Sequence, residues 1–470
     1  MPCLYEELAS QLAEQIDLGL FQIGDRLPGI RKFSKQQRVS PATSVAVYRK
    51  LEDQGYIEAR SRSGFYVRAR ISSHIAEPEI SAPKNRPNPV TGQELALQLV
   101  KASNDPQMIQ LGAAVPAASY LPTPTIERAI ARANRLQRHR NNQYEFPPGV
   151  LELRRQIARR MAEIGCRVRA DEIAITNGCQ EALTLALRAV TSPGDIVAIE
   201  SPTFYGLLQV VDSLGLKALE IPTHPRDGIS LPALQLALEQ WPVKACILVP
   251  NYSNPLGYCM SDVNKQALVE LLKQMAIPLI EDDVYGDLGF SQHRPTVCKS
   301  FDQNGEVLYC SSFSKTLSPG LRVGWIAAGR YQEKVEYLKF VTNLATPTLP
   351  QLAIAELLDN GQYERHLRKI RSEYAHAVDR MSRAVERHFP AGTRITRPQG
   401  GFVIWVELPG NHDSFSIAQE LLAKGISIAP GPIFSATGKY RNFLRLSCAC
   451  DWDDRIEKAL AAIAQCCWPI

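Results

Sequence analysis

The densest chemistry in this 470-residue sequence lies in Ser311-Ser312-Phe313-Ser314-Lys315-Thr316-Leu317-Ser318-Pro319-Gly320-Leu321-Arg322-Val323-Gly324-Trp325. An apolar run ending at Leu308-Tyr309-Cys310 leads into it, so Lys315 is expected just beyond the end of a buried strand. A lysine that is desolvated, or set beside a second cation such as Arg322, is partly neutral and able to attack a carbonyl as a Schiff-base nucleophile. Ser312, Ser314 and Arg322 add hydroxyl donors and a guanidinium, a set that suits a dianionic phosphate. The competing reading is a buried strand followed by a solvated basic loop.

Upstream, between about 107 and 330, apolar runs alternate with helical patterns, which predicts a mostly parallel sheet with helices on both faces. Ligands of such sheets sit beyond the carboxyl ends of the strands. Residues 173–176 are followed by Asn177-Gly178-Cys179-Gln180 and a helical stretch; a glycine opening a helix turns free amides and the positive dipole end toward an anion. The run 196–199 leads to Phe204-Tyr205, where an aromatic ring can stack on a flat heterocycle. Residues 245–250 precede the turn Asn254-Pro255-Leu256-Gly257, and residues 277–280 run into Glu281-Asp282-Asp283-Val284-Tyr285. Three carboxylates at a buried strand end are costly unless paired or solvated. A metal is the competing explanation for them, but no histidine adjoins them and the loop lacks a calcium-type ligand series, so no metal is expected.

Past residue 331, a long helical pattern covers Tyr363 to His388, and apolar strands are expected at Gly400–Glu407 and Phe443–Ser447. The second strand carries Arg445 among apolar neighbours. Such an arginine needs either a structural ion pair or a carboxylate ligand.

The first 70 residues read as a separate module. Leu4, Leu8, Leu12 and Ile16 recur at helical spacing, Ile30 to Gln37 follow the turn at Pro28, and Ser40-Pro41 supplies a cap and a first-turn proline for a third helix. Residues 56–60 and 64–68 alternate like a short hairpin. Helix, helix, helix and hairpin make a winged helix. Eleven basic residues from Arg26 to Arg70 face only Asp25, Glu52, Asp53 and Glu58, the footprint of a phosphate-contacting surface with salt-dependent binding. From Ser72 to about Pro106, prolines 78, 83, 87 and 89 among polar residues predict a semi-extended linker whose ~35 residues reach roughly 30 Å; Leu95 to Val100 read as a short docked segment.

With 45% apolar and 21% charged residues, composition is that of an ordinary soluble protein, and the net charge of +5 is modest. No apolar run approaches ~20 residues, and no basic-then-apolar leader opens the sequence, so a cytoplasmic location is expected, with no membrane partner. The 11 cysteines show no metal-ligand spacing.

Ser-Phe-Ser-Lys followed by Gly-Leu-Arg-Val-Gly resembles the pyridoxal-phosphate lysine motif of fold-type I, aspartate aminotransferase-like enzymes. Leu27-Pro28-x-x-Arg31, Val39-Ser40 and Ser63-Gly64-x-x-Val67 are similar to the GntR winged-helix pattern. In this order the two resemble the MocR subfamily of GntR transcriptional regulators over nearly the whole chain. The resemblance implies an α/β protein: a winged helix (1–70), a linker (71–106), a large pyridoxal-phosphate-binding domain (107–330) and a small C-terminal domain (331–470). It places the cofactor phosphate at Gly178, Cys179, Gln180, Ser312, Ser314 and Arg322, and the Schiff base at Lys315. Phe204 would stack on the ring, Asn254 and Tyr285 bond its oxygen, and Asp282 its nitrogen. Tyr144 would reach the partner subunit's cofactor across a homodimer, Arg445 would hold a substrate carboxylate, and Arg31, Ser40, Thr43 and Gly64 would face a double-stranded DNA operator. Pro41 and Ser44 depart from the GntR pattern, where arginine and an aliphatic residue are frequent. The expected function is transcriptional regulation, with an amino compound or the cofactor as effector; an active aminotransferase carrying a DNA-binding module is the alternative.

Overall fold

The computed structural model describes residues 4–467 apart from 18–19, 22–23, 54–55, 61–62, 68–74, 92–96, 98–100, 102–104, 106 and 292. The chain divides into two compact units, Met1–Ser73 and His74–Ile470.

The smaller unit contains α1 (Leu4–Asp17), α2 (Ile30–Gln37), α3 (Pro41–Asp53) and the antiparallel pair β1 (Ile57–Arg60) and β2 (Gly64–Val67). Its core is built on Tyr48, whose ring lies between Phe33 (5.1 Å) and Phe65 (4.8 Å) and whose hydroxyl donates to the Pro28 carbonyl at 2.6 Å. The buried stripe of α1 is Ala9, Leu12, Ala13 and Ile16; Leu4, expected on that stripe, is 57% exposed because small alanines let the helix pack one position round. Ser40 Oγ accepts from the Thr43 amide at 3.0 Å and so caps α3. Ser44 is fully buried where the GntR pattern favours an aliphatic residue, and its hydroxyl is satisfied by donating to the Ser40 carbonyl at 3.2 Å. Residues 24–27 bond along β2, Leu27 N to Phe65 O at 2.9 Å, and extend the hairpin. Residues 61 and 62, between the two strands of the expected hairpin, and Arg68 and Arg70 lie outside the described residues.

In the larger unit, β3 (Ile109–Gln110), β4 (Ala174–Thr176), β5 (Ile196–Ser201), β6 (Lys217–His224), β7 (Gly228–Ile229), β8 (Val243–Leu248), β9 (Leu279–Asp282), β10 (Val307–Ser312) and β11 (Gly324–Ala327) precede a second group of strands. These are β12 (Arg394–Ile395), β13 (Val403–Glu407), β14 (Ile426–Ser427), β15 (Ala429–Pro430) and β16 (Phe443–Ser447). The main sheet has the order β4-β11-β10-β9-β8-β5-β6-β7. Its centre is parallel, as the alternating runs predict, but β11 is antiparallel to both β10 and β4, and β7 is antiparallel to β6. A Pro-Gly turn after β10 returns the chain directly, which permits only antiparallel pairing. The second sheet, β12-β13-β16-β15, is antiparallel throughout, and β3 pairs with β14. The 27-residue helix Gln362–His388 falls where its periodicity predicts.

The connector departs from the expected spacer. Residues 75–91 are laid on the larger unit: Asn88 and Ala218 bond reciprocally at 2.9 and 2.8 Å, Thr91 N donates to Ala436 O at 3.1 Å, and Pro78 and Val90 are buried. Prolines lack a donor, but the residues between them keep amides and carbonyls that pair with a sheet edge. Leu95, Leu99 and Val100 lie outside the described residues, and Leu97 is exposed. Among the described residues no helix is long and apolar enough to cross a membrane.

Candidate functional site

The carboxyl ends of β4, β5, β8, β9 and β10 converge on a cavity of about 210 Å³. Lining it are Cys179, Gln180, Phe204, Asn254, Asp282, Tyr285, Ser312, Ser314, Lys315 and Arg322, ten of the residues singled out in the sequence, with Leu183, Val249 and Val284. A larger hollow, about 430 Å³, runs from Val269 to Val307 and includes Leu279, so it lies at the opposite, amino end of β9 and β10. Parallel sheets bind ligands at the carboxyl end, and there the polar groups meet.

One wall of the cavity is an anion cradle. Gly178 caps the helix Cys179–Val190 with φ of +83°, a conformation that favours glycine, and any Cβ there would collide with the Arg322 guanidinium. Arg322 Nη2 donates to the Asn177 carbonyl at 2.8 Å, which fixes the guanidinium over the first turn. Ser312, the last residue of β10, and Ser314, just beyond it, line the cavity with Lys315. Free amides, a helix dipole, two hydroxyls and a guanidinium form a phosphate-binding set.

The three neighbouring carboxylates have different fates. Glu281 accepts from the Cys298 and Lys299 amides at 2.7 and 2.9 Å, and burial raises it to about 7. Asp283 is bonded by Tyr309 at 2.7 Å, Asn251 at 2.9 Å and Arg294. Arg294 also pairs with Asp287 at 2.6 Å; although burial opposes it, Arg160, Arg294 and Arg371 hold that carboxyl well below the usual range. Asp282 alone faces the cavity. It accepts only from the Val284 amide (3.2 Å) and the Cys179 thiol (3.4 Å), forms no ion pair among the described residues, and burial raises it to about 6.

Lys315 Nζ donates to the Ala114 carbonyl at 2.6 Å. Burial, then the charge of Arg445, lowers its ammonium to about 8, with Arg322 a smaller contributor in the same direction. The sequence points to Arg322 alone for that role. Arg445 itself, fully buried in β16, donates to the Gly112 carbonyl and to Asn254 Oδ1 (3.2 Å), and lies 5.4 Å from the Phe434 ring. No carboxylate lies within ion-pair distance of it among the described residues, and its Nε is buried without a partner. The structural ion pair left open by the sequence is therefore absent there. Gly112 and Ala114, whose carbonyls hold Arg445 and Lys315, escape sequence reasoning. Their one sequence signal is the small-residue run Gly112-Ala113-Ala114, and a Cβ at Gly112 would sit 2.7 Å from Ile428.

Phe204, rather than Tyr205, lines the cavity; Tyr205 is buried with its edge toward Phe434 at 5.6 Å. The chain does not bring Tyr144 to its own cavity, for that ring is 70% exposed and stacked on Phe146 at 5.7 Å. In the smaller unit Arg31 and Ser40 are exposed, Thr43 and Gly64 half-buried. Ser40 and Thr43 hydroxyls bond each other at 2.8 Å at the start of α3, and Gly64 (φ +115°) opens β2 beneath the Arg26 guanidinium.

Residues 106–463 match the family "Aminotransferase class I and II", and residues 4–67 match "Bacterial regulatory proteins, gntR family". Two uncharacterized HTH-type transcriptional regulators of Escherichia coli (strain K12), YjiR and YdcR, are each 40% identical, over 464 and 461 residues, with 98% of both chains covered. The chain belongs to the MocR-type GntR regulators. This MocR-type regulator is also similar to a solved structure, LysN, the alpha-aminoadipate aminotransferase of Thermus thermophilus complexed with N-(5'-phosphopyridoxyl)-L-leucine. The TM-score is 0.73 at 28% identity, covering 80% of this chain and 94% of that one. The cofactor of the aminotransferase family is pyridoxal 5'-phosphate, and the cavity fits it: an anion cradle that any Cβ at Gly178 would fill, a carboxylate without a cation, and a lysine of lowered basicity face one another. Among the described residues there is no cluster that could hold a metal ion.

The lysine makes a pH prediction for the cofactor-free chain. Folded Lys315 releases its proton near 8, whereas the unfolded side chain holds it to about 10.5, so between these values the unfolded state binds more protons and stability rises with pH. Lys315→Met is expected to exceed the parent in stability below pH 8, with the gap closing toward about pH 10.5 in urea unfolding. A gap independent of pH would contradict the lowered basicity.

Proposed function

We propose that this regulator carries pyridoxal phosphate as a Schiff base on Lys315 and senses an amino compound, or the cofactor itself, to control DNA binding by its winged helix. The observation that carries this reading is the meeting of Lys315, the unpaired Asp282 and the Gly178–Arg322 cradle in one cavity. Gly178, Cys179, Gln180, Ser312, Ser314 and Arg322 would hold the phosphate, Phe204 would lie against the ring, and Asn254 and Tyr285 would bond its oxygen. When bound, the ring acts as a sink for the electron pair released beside the amino nitrogen. Asp282 Oδ would keep a proton on the ring nitrogen, and Lys315 Nζ, made less basic by burial and by Arg445, would accept and return protons. Arg445, whose Nε and guanidinium find no carboxylate among the described residues, would orient the ligand through the ligand's carboxylate.

A homodimer would complete the site. Tyr144, Phe146 (51% exposed) and Phe340 (47% exposed) form one aromatic surface, and its burial by a second copy would bring Tyr144 toward the partner's cavity. Two winged helices would then read paired half-sites. The set of cavity residues, with Arg445 donating to Asn254 Oδ1 at its wall, also favours a second reading, a working aminotransferase with an attached DNA-binding module. Mixing the loaded protein with amino acids separates the two: turnover of the cofactor to its aminated form with keto-acid release supports the enzyme.

Borohydride reduction of the loaded protein, followed by peptide mapping, is expected to leave the pyridoxyl mark on Lys315; a mark on another lysine would contradict the assignment. For the DNA surface, Arg31→Ala is expected to weaken binding to an operator selected from random-sequence duplexes and to reduce the salt slope by about 1. An unchanged affinity and slope would remove Arg31 from the interface.

A further inference from the structure

Behind the anion cradle, outside the cavity lining, lies a second buried charged group. Lys339, in the helix Gln332–Asn343, is only 1% exposed. Its ammonium donates to Glu181 Oε2 at 3.1 Å, Asn343 Oδ1 at 3.2 Å and Thr346 Oγ1 at 2.9 Å. An ammonium carries three N–H donors and no acceptor, so these three acceptors match its protonated form. The Asn343 amide in turn donates to Glu181 Oε1, which closes a ring of lysine, carboxylate and amide. A buried ion pair is costly unless its remaining donors and acceptors are met, and here they are. Burial lowers the basicity of Lys339, and the charge and hydrogen bond of Glu181 oppose that fall.

The carboxylate of this pair belongs to the cradle's own helix. Glu181 stands in the first turn of Cys179–Val190, and its Oε2 also accepts from the Asn177 amide at 2.5 Å. Asn177 is the residue whose carbonyl receives Arg322 Nη2 at 2.8 Å. An unbroken chain of bonds therefore runs from Lys339 through Glu181 and Asn177 to Arg322, beside the turn at Gly178. Glu181 acts in two opposed ways. Its oxygen fixes the amide before Gly178, yet an anionic side chain in the first turn cancels part of the positive dipole end on which the cradle relies. Lys339 removes that conflict: it neutralises the carboxylate and leaves its oxygen on Asn177.

We propose that Glu181 and Lys339 are positioning residues for the phosphate group. The carboxylate fixes the Asn177–Gly178 turn and, through it, Arg322; the lysine cancels the carboxylate's charge, so that the cradle keeps its attraction for a dianion. This rests on the reading of the cradle as a phosphate site. Neither residue lines the cavity, so the pair acts on the phosphate and not on capture of the aldehyde by Lys315. Balance of charge is what matters. Loss of the lysine alone leaves a bare carboxylate in the first turn beneath the dianion, whereas loss of both charges together restores the field.

Titration of the full chain with pyridoxal 5'-phosphate and with pyridoxal, followed by absorbance at about pH 8, where the phosphate ester is a dianion, tests this. Lys339→Met is expected to weaken binding of pyridoxal 5'-phosphate about tenfold and to leave that of pyridoxal unchanged. Lys339→Met/Glu181→Gln keeps an oxygen for the Asn177 amide, removes both charges, and is expected to recover most of the loss. Glu181→Asp keeps both charges and shortens the reach to Asn177. It is expected to weaken only the phosphorylated ligand, so the test stands even where Lys339→Met alone fails to fold. Parent-like phosphate affinity in Lys339→Met or Glu181→Asp, a double variant as weak as Lys339→Met, or equal losses for both ligands would overturn the role of the pair and leave the cradle standing. A parent that holds pyridoxal 5'-phosphate no more tightly than pyridoxal would overturn the cradle itself, and the role of the pair with it.

Discussion

Burying a carboxylate without a cation costs several kcal/mol, and a protein tolerates it where a ligand supplies the missing charge. Around Glu281, Asp282 and Asp283 this constraint sorts three identical functional groups. Glu281 is met by two backbone amides, Asp283 by an arginine, a tyrosine and an asparagine, and Asp282 is turned toward the cavity with one amide and a thiol. The buried network through Arg294 and Asp287 leaves Asp282 without an ion pair among the described residues. The rest of the cavity follows from the same economy of charge: a lysine made less basic opposite it, and a cradle of amides and guanidinium for an anion.

Much of this was legible in the sequence because nearly all the residues that line the cavity sit at or just beyond the end of an apolar run, where a parallel sheet places its ligands. The strand carrying Arg445 and the helices Ile30–Gln37 and Gln362–His388 were equally readable, since burial imposes a period and a proline or cap marks the start. What was not readable depends on contacts between distant segments. Nothing local in Ala114 announces that its carbonyl holds Lys315, 201 residues away, and nothing in Arg445 announces that its charge outweighs that of Arg322 at the lysine. The antiparallel β11 was missed because Gly-Trp-Ile-Ala is too short to declare a direction.

The segment 75–91 shows the same limit from the other side. Proline-bearing polar sequence reads as a spacer, yet its carbonyls and amides are used by β12, β6 and the residues near Ala436. A connector that is pinned is a different mechanical object from one that is loose.

The central claim is that Asp282 awaits a protonated ring nitrogen. Nitrogen-15 NMR of the full chain loaded with cofactor labelled at that nitrogen measures this directly. The account predicts a protonated signal at neutral pH that reverts to the unprotonated form in Asp282→Asn. An unprotonated nitrogen in the parent, or a signal indifferent to the substitution, would contradict it.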